Sequence, residues 1–332
     1  MNKRIKVLFV RPYKPSFIQK DLELLKKHFD VKKVDFVLSR KNLKDTLMSP
    51  FKMVAGVIWA DVTFSWFAGY HAFCAVRLSK ILRKKSIVVV GGYEVAEVPE
   101  IGYGVMLNPR SASRVKYVLD NANKVLAVSE FNKKEILKHT DSKNVELVYN
   151  GVDCDKFKPE GEKEDLVITV GNLTKNTCRL KGIDTFVKAS LALPELRFVV
   201  VGNYDVDIRN HLKQIAPNVE FTGALSHEEV VSWLKKAKVY CQLSYRESFG
   251  MALAESMCCE CVPVVTNNSA LLEVVKDTGF YVPYGNMEAT ADAIKEALKS
   301  GKGKEARERI IKMFPIELRE KELIDIINIS LN

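Results

Sequence analysis

The chain has 332 residues, of which 47% are hydrophobic and 28% charged, and its formal net charge is +10 at pH 7. This length predicts two domains, and the hydrophobic content is sufficient for packed cores. No apolar run approaches the roughly 20 residues that a membrane-spanning helix requires. The first apolar segment, Ile5–Val10, is too short for a signal peptide, so we expect a cytoplasmic protein.

The positive charge admits three kinds of partner: nucleic acid, an anionic membrane face or an anionic substrate. The sequence contains no basic repeat interleaved with aromatic residues, which argues against nucleic acid. The seven cysteines match no zinc-ligand spacing, and we expect them to be buried thiols in a reducing compartment.

Strands and helices are predicted to alternate through the first half of the chain. The predicted helices include Ala72–Arg83 and Phe131–His139. The predicted strands are Ile5–Val10, Val31–Phe36, Gly56–Asp61, Ser86–Val90, Lys124–Ser129 and Val145–Tyr149. Strands rich in Val, Ile and Leu that alternate with helices indicate a parallel sheet covered on both faces.

The second half repeats this pattern. Its predicted strands are Asp165–Val170, Leu196–Val201, Val219–Thr222, Val239–Leu243, Val262–Thr266 and Phe280–Val282. Two such sets predict an α/β protein of two Rossmann-like, doubly wound domains. Ligands of these domains bind at the carboxyl ends of the strands.

The most informative segment, Arg246–Ser256, lies between a predicted strand and a predicted helix. A glycine before the helix leaves backbone amides available to an anion. Glu247 and Glu255 would lie very roughly 10 Å apart, which a nucleotide diphosphate can span. Their carboxylates are suited to bind sugar and ribose hydroxyls. Alternatively, Glu255 faces solvent and Glu247 is a charge at a helix start.

The same segment resembles the E-x7-E signature of the retaining glycosyltransferases of family 4, which have the GT-B fold. The likeness continues through Cys258–Val265 and Gly279–Pro283, and Asn150–Pro159 is similar to the interdomain motif of that family. The resemblance implies an acceptor domain over 1–152 and a nucleotide-sugar-binding domain over 153–315, facing each other across a cleft. It also implies that a C-terminal helix, 316–332, packs back on the first domain.

The cations that hold the diphosphate in this family are an arginine and a lysine. Lys181 matches the family lysine, whereas Asn172 stands at the position of the arginine. Arg179 either replaces the missing cation or is a solvated residue of a variable loop. By the same resemblance, the diphosphate also contacts the backbone amides of Ser248, Phe249, Gly250 and Met251.

In the first domain, Gly91-Gly92-Tyr93-Glu94 follows a predicted strand and is similar to a Gly-Gly-Tyr-Asp turn found in a subset of the family. Glu94 is therefore a candidate for the cleft, and the alternative is plain loop solvation. His71, at a predicted helix start, is a weaker candidate, because a lone histidine there is more often structural.

The resemblance implies a hexosyltransferase that retains the anomeric configuration. Lys181 and the loop amides would stabilise the leaving diphosphate, Glu247 would hold the sugar, and Glu255 would bind the ribose. It implies no cofactor and no metal. Asp153-Cys154-Asp155 looks like a D-x-D metal motif, but it lies in the interdomain linker.

The expected partners are a nucleotide-diphosphate sugar and a glycan, lipid-linked or small-molecule acceptor, with peripheral contact at an anionic membrane face. Two alternatives to a transferase stay open. One is a nucleotide-sugar epimerase of the same fold, and the other is a non-catalytic nucleotide-sugar-binding protein.

Overall fold

The computed structural model describes residues 4–13, 15–36 and 43–331, with the backbone alone for residues 43–47. The chain divides into two compact units. Unit 1 comprises Met1–Asn150 and Glu317–Asn332, and unit 2 comprises Gly151–Ile316. None of the described helices is both long enough and apolar enough to cross a membrane.

Unit 1 is built on six parallel strands in the order β2-β1-β3-β4-β5-β6. The strands are β1 (Lys6–Arg11), β2 (Asp30–Asp35), β3 (Val62–Trp66), β4 (Lys85–Val90), β5 (Lys124–Ala127) and β6 (Val145–Leu147). The helices are α1 (Ser16–His28), α2 (Leu43–Trp59), α3 (Tyr70–Ile81), α4 (Pro109–Asn121) and α5 (Glu130–Leu137). The central strands are almost wholly buried because helices cover both faces of a parallel sheet.

One predicted strand, Gly56–Asp61, is wrong. Those residues form the last turn of α2 and the connection to β3. Short apolar runs fit a buried helix and a buried strand equally well, so periodicity alone cannot separate the two. Gly56 lies where α2 packs against β1, and an added Cβ would lie 2.6 Å from the Leu8 side chain. The glycine therefore lets α2 approach β1 closely.

Unit 2 repeats the architecture with the strand order β12-β11-β10-β7-β8-β9. The strands are β7 (Glu164–Val170), β8 (Arg197–Val201), β9 (Glu220–Phe221), β10 (Ala237–Gln242), β11 (Val262–Thr266) and β12 (Phe280–Val282), all parallel. The helices are α6 (Lys175–Lys181), α7 (Ile183–Ala189), α8 (Val206–Ile215), α9 (His227–Lys236), α10 (Met251–Cys258), α11 (Leu271–Val275), α12 (Met287–Lys299) and α13 (Lys302–Met313).

The last helix, α14 (Ile316–Leu331), returns the chain to unit 1. Arg319 on this helix donates two hydrogen bonds of 2.7 Å to the carboxylate of Asp21 in α1. Asp21 also accepts a hydrogen bond from the indole of Trp66, and both members of the ion pair are almost fully buried. A buried bidentate pair of this kind holds two segments in one geometry. It therefore ties the end of the chain to unit 1.

Candidate active site

The candidate site lies in unit 2, where β7 and β10, neighbours at the centre of the sheet, end. Gly182, between α6 and α7, has a φ of +63°, and an added Cβ would lie 2.1 Å from the carbonyl oxygen of Leu243. Only glycine allows the α6–α7 turn to sit so close to the end of β10. A backbone hydrogen bond from Tyr245 to Leu180 (2.8 Å) fixes the same approach. Lys181 is thereby placed beside the loop that follows β10.

Lys181 and Glu247 form an ion pair at the end of this approach. The distance from Lys181 Nζ to Glu247 Oε1 is 2.6 Å, and their side chains are 30% and 14% exposed. Sixty-six positions separate the two residues in sequence. The structure therefore brings together two of the predicted site residues.

Two further side chains donate to the same carboxylate oxygen. Gln242 Nε2 and Ser244 Oγ each lie 2.9 Å from Glu247 Oε1. Among the described residues, no hydrogen bond reaches the second oxygen, Oε2. One oxygen of Glu247 is thus held by three donors, and the other can accept a hydrogen bond from a substrate hydroxyl.

The backbone of Glu247 is also fixed. Its N–H donates to Ser269 Oγ (3.1 Å), and its carbonyl oxygen accepts from the Ala270 N–H (3.2 Å). Thr266 Oγ1 donates to the Ser244 carbonyl oxygen (2.6 Å). The segment after β11 therefore anchors the loop that presents the carboxylate, as the preorganisation of a binding site requires.

Helix α10 begins directly after this loop. Its N-cap, Gly250, has a φ of +91° and, being a glycine, has no side chain to cap the first amides of the helix. Phe249 is buried and packs edge-on against Phe314, with ring centroids 5.4 Å apart. Ser248–Met251 thus form a rigid turn into a helix start without a side-chain cap, an arrangement that favours an anion.

Glu255 lies on α10, one turn from its start. Desolvation by burial raises the pKa of this carboxyl to about 8, with Lys156 acting in the opposite direction. No described residue forms a hydrogen bond with the carboxyl group. A partly buried acid without a partner among the described residues is costly unless a ligand satisfies it, which makes Glu255 a candidate ligand contact.

Asn172 and Arg179, the two residues considered for the second cation, lie away from the Lys181–Glu247 pair. Asn172 is exposed, and its carbonyl oxygen accepts from Thr177 Oγ1 (2.5 Å). Arg179 is in α6, where the sequence predicted a variable loop. It lies two positions before Lys181 on that helix. This spacing corresponds to a rotation of about 200°, so the two side chains leave the helix on nearly opposite sides. No described contact brings Arg179 to Glu247.

In unit 1, Glu94 lies after β4 and is 3% exposed. Its carboxylate accepts hydrogen bonds from the backbone N–H groups of Ala68 (3.0 Å), Gly91 (3.1 Å) and Gly92 (2.8 Å). Burial raises the pKa of Glu94, and the amide hydrogen bonds oppose this effect. Through these hydrogen bonds the carboxylate connects the loops after β3 and β4. The catalytic role of Glu94 stays a prediction.

The weaker histidine candidate in unit 1 is also enclosed. His71 is 5% exposed, and its Nε2 donates to the carbonyl oxygen of Trp66 (2.6 Å). Burial lowers the pKa of the imidazole. These contacts give His71 a structural role at the start of α3.

The linker segment Asp153–Asp155 forms a turn in which Asp153 Oδ1 accepts from the Lys156 N–H (3.1 Å). Among the described residues, no group of three His, Cys, Asp or Glu side chains is placed to hold a metal ion. Chemistry without a metal stays a prediction.

Three polar residues of the site were missed by the sequence analysis: Gln242, Ser244 and Ser269. Gln242 stands at the end of β10, after the buried residues Val239–Cys241, and is 2% exposed. A buried amide in a strand requires partners, so its position was a readable signal. No local pattern marks the two serines, because their role depends on contacts with the distant Glu247 segment.

The two six-stranded parallel sheets with flanking helices are those of the GT-B glycosyltransferases. Anabaena HepE in complex with UDP matches 98% of this chain and 100% of its own, with a TM-score of 0.79 and 17% identity. Sucrose-phosphate synthase from Thermosynechococcus elongatus matches 98% of both chains, with the same TM-score and identity. These likenesses confirm the predicted fold class.

The sequence comparison gives the family that unit 2 resembles. Residues 153–313, nearly all of unit 2, match the model of the group 1 glycosyl transferases. D-inositol 3-phosphate glycosyltransferase of Mycobacteroides abscessus is 28% identical over 206 residues, 54% of this chain and 45% of the relative. The chain thus spans about half the length of the curated relatives it matches. The predicted resemblance to the group 1 glycosyltransferases is confirmed for this part of the chain.

Proposed function

We propose that this protein is a retaining glycosyltransferase that uses a nucleotide-diphosphate sugar as donor. The observation that carries the proposal is the Lys181–Glu247 pair beside the start of α10. A cation and the start of a helix are suited to a diphosphate, and a carboxylate with one unused oxygen is suited to a sugar hydroxyl. Anabaena HepE, which shares the fold, has been crystallised with UDP and with UDP-glucose. A uridine donor is therefore the first candidate.

In this reaction the bond between the anomeric carbon and the diphosphate oxygen breaks while the acceptor oxygen bonds to the same carbon. Negative charge develops on the diphosphate, where Lys181 and the amides of Ser248–Met251 stabilise it. The proton of the acceptor hydroxyl passes to the departing diphosphate. Glu247 orients the donor sugar, and Glu255 accepts hydrogen bonds from the ribose.

The acceptor in this proposal is a glycan, a glycolipid or a small hydroxylated molecule. The residues of unit 2 do not distinguish among them, because each supplies the same attacking hydroxyl. Asn172 in place of the family arginine favours a second candidate, a nucleotide-sugar-binding protein without transfer activity. That candidate has the same donor site and differs only in the outcome with acceptors.

Isothermal titration calorimetry of UDP and UDP-glucose tests the donor site. We expect micromolar binding to the wild-type protein and a loss of at least tenfold in Lys181→Ala, because a charged contact to the diphosphate is removed. Lys188→Ala is the matched control, since Lys188 is exposed on the neighbouring helix α7. Equal affinity in wild type and Lys181→Ala would refute the assignment.

Product analysis separates the three activities. Transfer to an acceptor with retained anomeric configuration supports the proposal, and release of an epimerised sugar without acceptor supports an epimerase. Donor binding with no turnover on any acceptor supports the non-catalytic protein.

A further inference from the structure

Helix α2 in unit 1 carries apolar side chains on its solvent side. Met48, Phe51, Val54 and Ile58 are 44%, 72%, 42% and 59% exposed. The opposite side of the helix is also apolar, with Met53 and Val57 buried in the cluster around β1. Lys52 is the one charged residue among residues 48–59 of this helix, and a helix so largely apolar normally lies inside a larger body or against lipid.

Helix α3 continues this apolar surface. A groove of about 350 Å³ lies between the two helices, lined by Val54 of α2 and by Cys74, Leu78 and Ile81 of α3 among others. Ile81 is 67% exposed, and Leu82, directly after it, is 38% exposed. The exposed apolar residues therefore form one continuous patch, the kind of patch that marks an interaction site.

Cations border the patch on the α3 side. Arg77 lines the apolar groove, and a second recess of about 320 Å³ is bordered by Lys80, Arg83, Lys84 and Lys85. The sequence contains no Asp or Glu between Asp61 and Glu94. Among the described residues, no carboxylate forms an ion pair with these five cations. We call the patch and its bordering cations the α2–α3 face.

Several cations of unit 2, in contrast, are paired with carboxylates. Lys235 pairs with Glu160 (2.9 Å), Lys238 with Asp165 (2.9 Å), and Arg197 with Glu220 (2.7 Å). Like charges without counter-charges repel one another, so the cations of the α2–α3 face gain stability from an anionic partner. That partner must also accept exposed Phe and Ile side chains. Anionic lipids offer both an acyl region and a layer of phosphates.

We propose that the α2–α3 face docks unit 1 on the surface of an anionic lipid bilayer. Phe51 and Ile58 enter the boundary between headgroups and acyl chains, while Lys80 and Arg83 contact lipid phosphates. The contact is peripheral, because none of the described helices can span the bilayer. Docking goes beyond the proposed donor chemistry, which needs only unit 2, and it places the enzyme where acceptors linked to lipid are found.

Sedimentation with sucrose-loaded vesicles tests the proposal on the full chain. One set of vesicles is pure phosphatidylcholine, and the other contains 30% phosphatidylglycerol. We expect binding to the anionic vesicles, little binding to the neutral ones, and a decrease as salt screens the phosphates. Lys80→Gln with Arg83→Gln should lower the partition coefficient about 25-fold, at about fivefold per charge. Phe51→Ser with Ile58→Ser should lower it at least tenfold.

Matched controls lie in unit 2. Lys299→Gln with Lys304→Gln makes the same charge change at exposed sites, and Leu191→Ser with Ile311→Ser makes the same kind of apolar change. Both control pairs should bind vesicles like the wild type. Unfolding midpoints show that each variant is folded, and titration of UDP shows that the donor site is intact whether or not vesicles bind.

Three results would overturn the proposal. The first is an absence of vesicle binding by the wild type, and the second is equal binding to neutral and anionic vesicles. The third is a wild-type dimer that Phe51→Ser with Ile58→Ser converts to a monomer without changing vesicle binding, which would assign the face to a second copy of the chain. A failure of donor binding alone leaves the vesicle result unchanged and counts only against the proposed function.

Discussion

Glu94 in unit 1 and Glu247 in unit 2 each follow a strand of a parallel sheet, and each accepts three hydrogen bonds, yet their donors differ. Glu94 accepts from three backbone amides of its own unit. Glu247 accepts from the side chains of Lys181, Gln242 and Ser244 on a single oxygen. Backbone donors cannot turn away from a carboxylate, whereas a lysine can exchange it for a phosphate. The first arrangement suits a fixed loop, and the second suits a binding site.

Glu255 extends the comparison, because it has no donor among the described residues, and it gives the largest expected effect. In the folded protein the pKa of Glu255 is about 8, whereas in the unfolded chain the carboxyl has its ordinary pKa of 4.5. Stability that is present below pH 4.5 is therefore lost as the pH rises towards 8. The loss by pH 9 is about 4 kcal/mol.

Glu255→Gln removes this titration. The free energy of unfolding of wild type and variant is measured by urea denaturation at pH 4.5 and pH 9. From the lower to the higher pH, the difference between the two proteins should change by about 4 kcal/mol in favour of the variant. Glu296→Gln, an exposed change on α12, is the control and should show no such gain. A constant difference between Glu255→Gln and wild type at both pH values would mean that the carboxyl is not desolvated.

The second prediction concerns Glu94. In Glu94→Gln the amide NH₂ faces a backbone N–H where the carboxylate oxygen accepted a hydrogen bond, which leaves a buried donor without a partner. We expect a decrease of about 2 kcal/mol in the free energy of unfolding. UDP affinity should not change, because the donor site lies in unit 2. Glu97→Gln, at an exposed position nearby, should be neutral. Unchanged stability in Glu94→Gln would remove the structural role argued for this residue.

The third prediction reverses the pattern at Glu247. Glu247→Gln should leave the unfolding midpoint unchanged, since Gln can still accept from Ser244. The affinity for UDP-glucose should fall about tenfold, or about 1.4 kcal/mol, whereas UDP alone should bind no more weakly than before. The difference between the two ligands isolates the sugar contact, and Glu288→Gln on the exposed side of α12 is the control. A parallel loss for both ligands would place Glu247 on the nucleotide instead.

The strands and the Lys-Gly and Glu positions could be predicted because each depends on local sequence. Eleven of the twelve predicted strands overlap strands of the structure, and the exception, Gly56–Asp61, is an apolar run without a periodicity that separates helix from strand. The sequence predicts a loop before Lys181, whereas the structure has a helix there, and Thr174 and Thr177 form the capping box at the start of α6.

Contacts across long separations in sequence were beyond prediction. The pairing of Lys181 with Glu247 spans 66 positions and depends on the close approach that Gly182 allows. One of the three amide donors to Glu94, Ala68, likewise lies 26 positions away in the loop after β3. Sequence patterns identified both glutamates as candidates, and only their donors distinguish them.

The smallest expected effect concerns Arg179. If Lys181 is the cation of the site because it reaches Glu247, then Arg179, which leaves α6 about 200° away, contributes little to the diphosphate. Arg179→Ala should weaken UDP binding less than threefold, or less than about 0.7 kcal/mol, because an exposed cation at a distance is screened by solvent and salt. Calorimetry of Arg179→Ala beside Lys181→Ala gives a direct ranking of the two cations. If UDP affinity falls as much in Arg179→Ala as in Lys181→Ala, then α6 rotates when the donor binds. Arg179 would in that case replace the family arginine.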